Sequence, residues 1–279
     1  MAGGGLQPVR PLAFSLLTSG HYARAAVNTK TGKSALFRSQ DPNKDQTFFL
    51  SQISQEALSR TLFPLASYTK EQVREMALNL LPTHIAKKPS SRGLCFVEPS
   101  ERRFSDFLTT YLSHPKTTSV LLEDGTKVGD TFAIWHVTVG ERSRVSFPQS
   151  QKLNPGGAWY VASKRMDPPS YTIVAGREHP KMYSGGLTAK DWTWIDDEDF
   201  PKRGTVAQIR HRQAPLKCLI TDLGPGRVRV KFTHAKAWGV APGQAVAVWH
   251  HGRCLGGGTI EFVEPGGETM ALENVDYDK

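Results

Sequence analysis

The stretch AVAVWHHGRCLGGGTIEFV, residues 245–263, is apolar, β-branched and glycine-rich, and reads as β-structure. It closes a series of similar short stretches: VAQIRHRQA (206–214), KCLITDL (217–223) and RVRVKF (227–232). Short strands at this spacing predict a β-barrel or sandwich from about residue 204 onward. In RVRVKF the basic residues alternate with apolar ones, which places Arg227, Arg229 and Lys231 on one face of a strand.

Upstream, the strand pattern continues but the turns change. TTSVLLEDGTKVG (117–129) predicts a hairpin with Asp124-Gly125 in the turn. TFAIWHVTVG (131–140), AWYVAS (158–163) and SYTIVAG (170–176) follow as predicted strands. Before residue 116 the period becomes helical. TKEQVREMALNLL (69–81) carries a capping box in Thr69 and Gln72, with Val73, Met76, Ala77 and Leu80 at helical spacing. SQEALSRTLFPL (54–65) predicts a short helix capped by Ser54 and ended by Pro64, and RFSDFLTTYL (103–112) an amphipathic helix. LAFSLLTSGHYARAAV (12–27) reads as a buried strand, a glycine turn and a continuation. The expected organisation is therefore α/β plus β: an α/β part over 1–100, a central β-rich domain over 101–203 and a C-terminal barrel over 204–279.

The chain has 279 residues and a formal net charge of +9, so a polyanion is the first partner to consider. Residues 1–40 hold five Lys/Arg and no acid, a balance also found in transit peptides. Three scattered cysteines, Cys95, Cys218 and Cys254, form no CxxC pair and no disulfide framework, which fits a reducing compartment. No apolar run is long enough for a membrane-spanning helix.

Four places carry candidate chemistry, each beside a plainer reading. In SGHYAR (19–24), Gly20 lets a ligand approach the backbone, or serves only a turn. In DPNKDQTFFLSQ (41–52), Lys44, Asp45 and Gln46 are offered to phosphate and bases, or form a polar loop capping the next helix. In SSRGLCFVEPS (90–100), Cys95 lies among Lys87, Lys88, Arg92, Arg102 and Arg103, which favour a thiolate, yet Leu94 and Phe96 suit a buried inert thiol. Between Gly204 and Val240, seven Lys/Arg face one acid, Asp222, giving either a solvated face or a phosphate-binding one. Adjacent His250 and His251 point to opposite faces of a strand and make a poor zinc site with Cys254.

Taken in order, SGHYAR, DPNKDQTFFLSQ, TLFPL, YTKEQVR, SSRGLCFV, RFSDFL, AWYV, IRHRQAPLKC and APGQAVAVW with GRCLGGGTI resemble the tRNA-specific 2-thiouridylase family, over about Gly20 to Val263. The resemblance implies a PP-loop, adenine nucleotide α-hydrolase-like α/β domain, here only a remnant, followed by the central domain and a tRNA-binding barrel. It implies ATP- and Mg2+-dependent transfer of persulfide sulfur to C2 of the wobble uridine of tRNA. A cysteine desulfurase or sulfur-relay protein supplies the sulfur, and the enzyme acts as a monomer, mitochondrial in eukaryotes and cytoplasmic in bacteria. By the same resemblance Cys95 is the persulfide carrier and Gly20 belongs to the ATP site. His21, Lys44, Asp45, Gln46, Arg210, His211 and Gln244 match the family's tRNA contacts.

The departures are as specific as the matches. The chain contains no Ser-Gly-Gly-x-Asp-Ser loop and no upstream partner cysteine; Ser90 stands where the family has Asp, Glu98 where it has Gly, Glu141 where it has Gln, and His211 where it has Tyr. The expectation is a chain that lacks the start of the nucleotide-binding domain and does not thiolate tRNA unaided. The alternative is a non-catalytic tRNA-binding protein derived from the same family. A domain lacking its first strands exposes sheet edges, so the first sixty-five or so residues are expected to be the least stable.

Overall fold

A computed structural model describes residues 16–29, 31–88, 104–112, 117–195 and 204–265. The N-terminal part runs through β1 (Leu17–Thr18), the hairpin β2 (Arg24–Val27) and β3 (Ser34–Phe37), α1 (Gln55–Ser59), β4 (Thr61–Leu62), α2 (Lys70–Leu80) and α3 (Thr83–Ala86). Serine and threonine caps set the helix starts. Ser54 Oγ accepts the Ala57 N–H at 3.2 Å. At α2, Thr69 Oγ1 accepts the Gln72 N–H and Gln72 Oε1 accepts the Thr69 N–H, so the capping box forms as its spacing predicts. Asp41 adds a third partner, accepting the Lys70 N–H at 2.9 Å.

Two of the expectations for this part change. α1 stops at Ser59, well before Pro64, because Thr61 and Leu62 leave the helix to pair in parallel with β1. Of the buried strand expected at the start of 12–27, residues 12–15 lie outside the described residues; what is described before the glycine turn is the two-residue β1, and Leu16 and Leu17 are exposed.

The middle of the chain holds α4 (Phe104–Tyr111), β5 (Thr118–Leu121), β6 (Lys127–Thr131), α5 (Ser150–Leu153), β7 (Trp159–Met166) and β8 (Pro169–Ala175). The sheet order is β6-β5-β8-β7, with β5 and β8 parallel. Gly125 sits at φ 86° in the β5–β6 turn, which only glycine adopts without strain. The strand expected over 131–140 does not form. Its apolar residues are instead carried on a 3-10 turn, Ile134–His136, that buries Ala133, Ile134 and Val139 without pairing. An apolar run of that length specifies burial but not strand pairing.

The barrel is built from β9 (Tyr183–Trp194), β10 (Thr205–Gln208), β11 (Leu216–Asp222), β12 (Val228–Phe232), β13 (Ala237–Trp238), β14 (Ala245–His250) and β15 (Arg253–Pro265). Six strands close in the order β9-β12-β11-β10-β14-β15, with β15 returning to β9. The closing strand, β9, lies ahead of the boundary expected at 203/204, so the barrel begins at Tyr183. β12 alternates as RVRVKF predicts, with Val228, Val230 and Phe232 buried and Arg229 and Lys231 exposed.

Closure draws its strands close at the glycine run. A Cβ on Gly256 would lie 2.3 Å from the Thr193 carbonyl oxygen of β9, and one on Gly258 2.7 Å from that of Lys190. A Cβ on Gly257 would lie 2.4 Å from Ser51 Oγ, at the contact between the barrel and the N-terminal part. That contact is extensive. β3 pairs with β15 through Leu36 and Phe37, and Ala23, Leu36, Phe48, Leu58 and Phe63 share one core with Ala247, Trp249 and Cys254. Most of the segment expected to be least stable is thus packed on the barrel. Exposed apolar side chains in the N-terminal part include Leu17, Leu62, Leu78, Leu80 and Ile85 on β1, β4, α2 and α3, with Val27 of β2 and Phe49.

Candidate nucleic-acid interface

The loop DPNKDQ is held by its own acids and amide. Asp45 is 6% exposed. Its carboxylate accepts from Arg38 Nη1 (2.9 Å), the Ser39 N–H (3.0 Å) and Thr47 Oγ1 (2.8 Å). Asp41 is also buried and accepts the N–H groups of Asn43 and Lys70. Gln46 reaches back to the SGHYAR segment: its Oε1 accepts the Tyr22 N–H at 3.0 Å, and its own N–H donates to the Tyr22 carbonyl at 2.9 Å. The structure therefore joins the two N-terminal motifs side by side.

Within the pair of motifs the side chains divide. Asp45 and the Gln46 carbonyl are spent inside the protein. Lys44 is half-buried, and its ammonium has no partner among the described residues. His21 Nδ1 lies 2.6 Å from Ser19 Oγ. Gly20 is exposed, and a Cβ there would meet no atom within 4 Å, so the fold itself does not demand glycine at that position.

Nothing local in the sequence marks Arg38. Its Nη2 donates to Gln208 Oε1 of β10 at 2.9 Å, and its guanidinium lies 4.1 Å above the Trp249 ring of β14. Between Asp45 and these barrel groups it fixes the N-terminal loop onto the barrel.

The barrel answers with His211. Its ring packs against Phe49 at 4.6 Å and lies near Phe48 at 6.4 Å. Burial holds its pKa below the ordinary histidine value, the neighbouring Arg212 adds to that, and Asp45 opposes it. The consecutive Arg210 faces elsewhere. Its Nη2 donates to the Val139 and Gly239 carbonyls, both at 2.7 Å, and burial lowers its pKa. It braces the barrel against the central domain. Gln244 is on that side too, lining a cleft of about 1110 Å³ between the two with Trp135, Met166, Tyr183 and Phe262. Its Oε1 is buried with no partner among the described residues. The structure thus brings Gly20, His21, Lys44, Asp45, Gln46 and His211 to the junction of the N-terminal part and the barrel, and puts Arg210 and Gln244 at a second junction.

The basic strand face is less bare than its sequence neighbourhood. Arg229 pairs with Glu264 through two hydrogen bonds (2.6 and 3.0 Å), and Arg227 with Glu261 at 2.7 Å. Both acids come from β15. The Arg229–Glu264 pair spans β9 over Gly186, where a Cβ would come within 2.8 Å of the Glu264 carboxylate. Lys217 and Lys231 stay exposed, without a carboxylate partner among the described residues.

Cys218 and Cys254 are buried, and desolvation pushes their thiols up to about 11 and about 12. Both are inert at neutral pH. Cys95 lies outside the described residues. No group of three or more His, Cys, Asp or Glu among the described residues is placed to hold a metal ion, His250 and His251 included.

Comparison with known proteins places these features. Residues 7–99 match the family model described as tRNA methyl transferase HUP domain, and residues 184–260 match that of the aminomethyltransferase beta-barrel domain, which starts within β9. The Mitochondrial tRNA-specific 2-thiouridylase 1 of Schizosaccharomyces pombe is 36% identical over 257 residues, covering 89% of this chain and 61% of that protein. The tRNA-specific 2-thiouridylase MnmA of Cupriavidus necator is 37% identical over 253 residues, 90% of this chain and 68% of the relative. That of Ralstonia pickettii is 37% identical over 257 residues, covering 91% and 67%. The chain therefore spans about two thirds of the length of these relatives. With the HUP-type segment, the barrel and this extent of identity, the chain belongs to the tRNA-specific 2-thiouridylase family.

Proposed function

We propose that this chain serves the 2-thiolation of the wobble uridine of tRNA, with Cys95 carrying the sulfur as a persulfide. The supporting observation is the junction at which the loop that carries Lys44 meets the His21 segment through Gln46 and Tyr22 and meets His211 of the barrel through Phe49. A polyanion that contacts both the N-terminal part and the barrel would meet them together. The cysteine inventory points the same way: Cys218 and Cys254 are buried and inert, so Cys95 alone is left for sulfur chemistry.

In this reaction ATP with magnesium supplies the activation that turns the uridine C2 oxygen into a leaving group. The described residues offer open space at Gly20 but no glycine-rich loop at a helix N-terminus to cradle a triphosphate, nor a cluster of acids for magnesium. The chain's own step belongs to Cys95. Its terminal persulfide sulfur forms a bond to C2 while the activated oxygen departs with the bonding pair. Release of 2-thiouridine then needs the Cys95 Sγ–S bond to be cut by a thiolate, which is oxidised to a disulfide with Cys95. Neither remaining cysteine is free for that, so a thiol from outside these 279 residues must supply it. The sulfur comes from a cysteine desulfurase or relay protein. The protein acts as a monomer, in mitochondria if the cell is eukaryotic and in the cytoplasm if bacterial.

Sulfur loading tests the reading. Incubated with a cysteine desulfurase and radiolabelled cysteine, the chain should acquire label that dithiothreitol releases, and Cys95→Ser should not. Equal labelling of the variant would overturn the role of Cys95 and leave tRNA binding without catalysis. Given ATP, magnesium, a persulfide donor and unmodified tRNA, the chain alone should form no 2-thiouridine; robust product would overturn that.

A further inference from the structure

Phe49 is a large apolar side chain left 60% exposed at the junction described above. A single exposed phenylalanine is ordinary, but this one ends a ladder of rings. Trp249 of β14 is fully buried. Phe48 stacks on it at 6.5 Å and 16°, Phe49 stands edge-on to Phe48 at 5.7 Å and 83°, and His211 leans on Phe49 at 4.6 Å.

The ladder is fixed from below. Trp249 Nε1 donates to Thr47 Oγ1 at 3.3 Å, and Thr47 donates to Asp45. Tight turns hold Phe49 outward, with the Phe49 N–H on the Gln46 carbonyl and the Leu50 N–H on that of Thr47. The ring is therefore presented in one orientation at little cost in side-chain entropy. Lys44 lies five residues before it and Arg212 follows His211 in the chain, and neither has a carboxylate partner among the described residues. The nearby carboxylate of Asp45 is already taken by Arg38.

A rigid ring with open surface, on a stretch that also carries Lys44, suits an unstacked nucleobase and its flanking phosphates. A base-paired helix keeps its bases stacked on one another and offers none to it. We infer that Phe49, walled by His211, is the platform on which one unpaired base of the bound RNA stacks. The inference rests on the reading that the chain binds tRNA, and adds to it a residue that selects looped over duplex RNA.

The test compares the full chain with Phe49→Ala, Phe49→Leu and Phe49→Trp, using fluorescence anisotropy with labelled unmodified tRNA and with a fully paired RNA duplex of similar length. Phe49→Ala and Phe49→Leu should each weaken tRNA binding about tenfold, the scale of one base–aromatic stack. Duplex binding and the salt dependence of tRNA binding should not move, and Phe49→Trp should restore affinity. Phe49→Leu keeps apolar packing, so it separates stacking from support of the loop. Tight wild-type tRNA binding with Phe49→Leu within about twofold of it would sink the platform alone. So would an equal loss on tRNA and duplex. Absence of tRNA binding by the wild type would sink the tRNA reading itself, and the platform with it.

Discussion

His211 shows how one side chain's environment sets a measurable property. Its pKa is depressed mainly by burial against Phe49 and Phe48, then by the charge of Arg212. In the fold the ring stays neutral to lower pH than in the unfolded chain, so the unfolded state takes up the proton first. The stability this contributes is present above the ordinary histidine value of 6.5 and is lost as pH falls below it toward the folded value. The thermal unfolding temperature should therefore fall from about pH 7.5 to about pH 5.5, and His211→Tyr should flatten that decline. His250, depressed by burial and by His251, shares the direction, so part of the slope should survive. An unchanged slope in His211→Tyr would contradict this account. Asp45 makes the opposite point. Its residue type suggests an acceptor for a ligand, yet three internal donors already occupy it.

At the scale of elements, the glycine run of β15 is where the barrel has no room. Gly256→Ala would press a methyl group against a backbone carbonyl of β9 at 2.3 Å, and a strand within a closed barrel cannot step aside. Overpacking of this kind costs about 2 kcal/mol, which denaturant unfolding should register. Gly20→Ala is the control: it meets nothing within 4 Å and should leave stability unchanged within about 0.5 kcal/mol. Equal stability of the two variants would show that β15 tolerates more than its spacing implies. α2 illustrates a different limit. Its capping box and helical spacing are legible in TKEQVREMALNLL, but none of its residues is fully buried, and Leu80 is 78% exposed. Period reveals that a helix has an apolar face, not what that face meets.

For the whole molecule, stability should follow packing rather than position in the chain. Ala23, Leu36 of β3, Phe48, Leu58 of α1 and Phe63 share a core with β14 and β15, whereas Leu17 of β1, Leu62 of β4 and Leu78 and Leu80 of α2 are exposed. Native-state amide exchange should give the slowest rates in β12, β14 and β15, intermediate rates in β3, and the fastest among the paired strands in β1 and β4. Uniform protection from residue 16 to residue 265 would refute that ranking. The same packing explains which parts of the interface were legible. The order of the motifs along the chain identifies the family without any structure. The Ser54 and Thr69 caps, the Asp124-Gly125 turn and the alternation in RVRVKF are legible too, because each depends on residues a few positions apart. Residues 131–140 look like a strand and form none, and β9 is unmarked, because short apolar or glycine-containing runs carry no local mark of their partners.

The amino-acid sequence by itself determined that the chain is basic, that strands follow helices, and that Lys44-Asp45-Gln46, Arg210-His211 and Gln244 stand in a particular order. Only the tertiary structure decided that Asp45 turns inward to Arg38, that Arg210 and His211 serve different junctions, and that Phe49 is left facing outward beside His211. The physical reason is distance along the chain. Arg38 meets Gln208 across 170 positions and Trp249 meets Thr47 across 202, and no local pattern of residues encodes a contact whose partner arrives from the far side of a barrel.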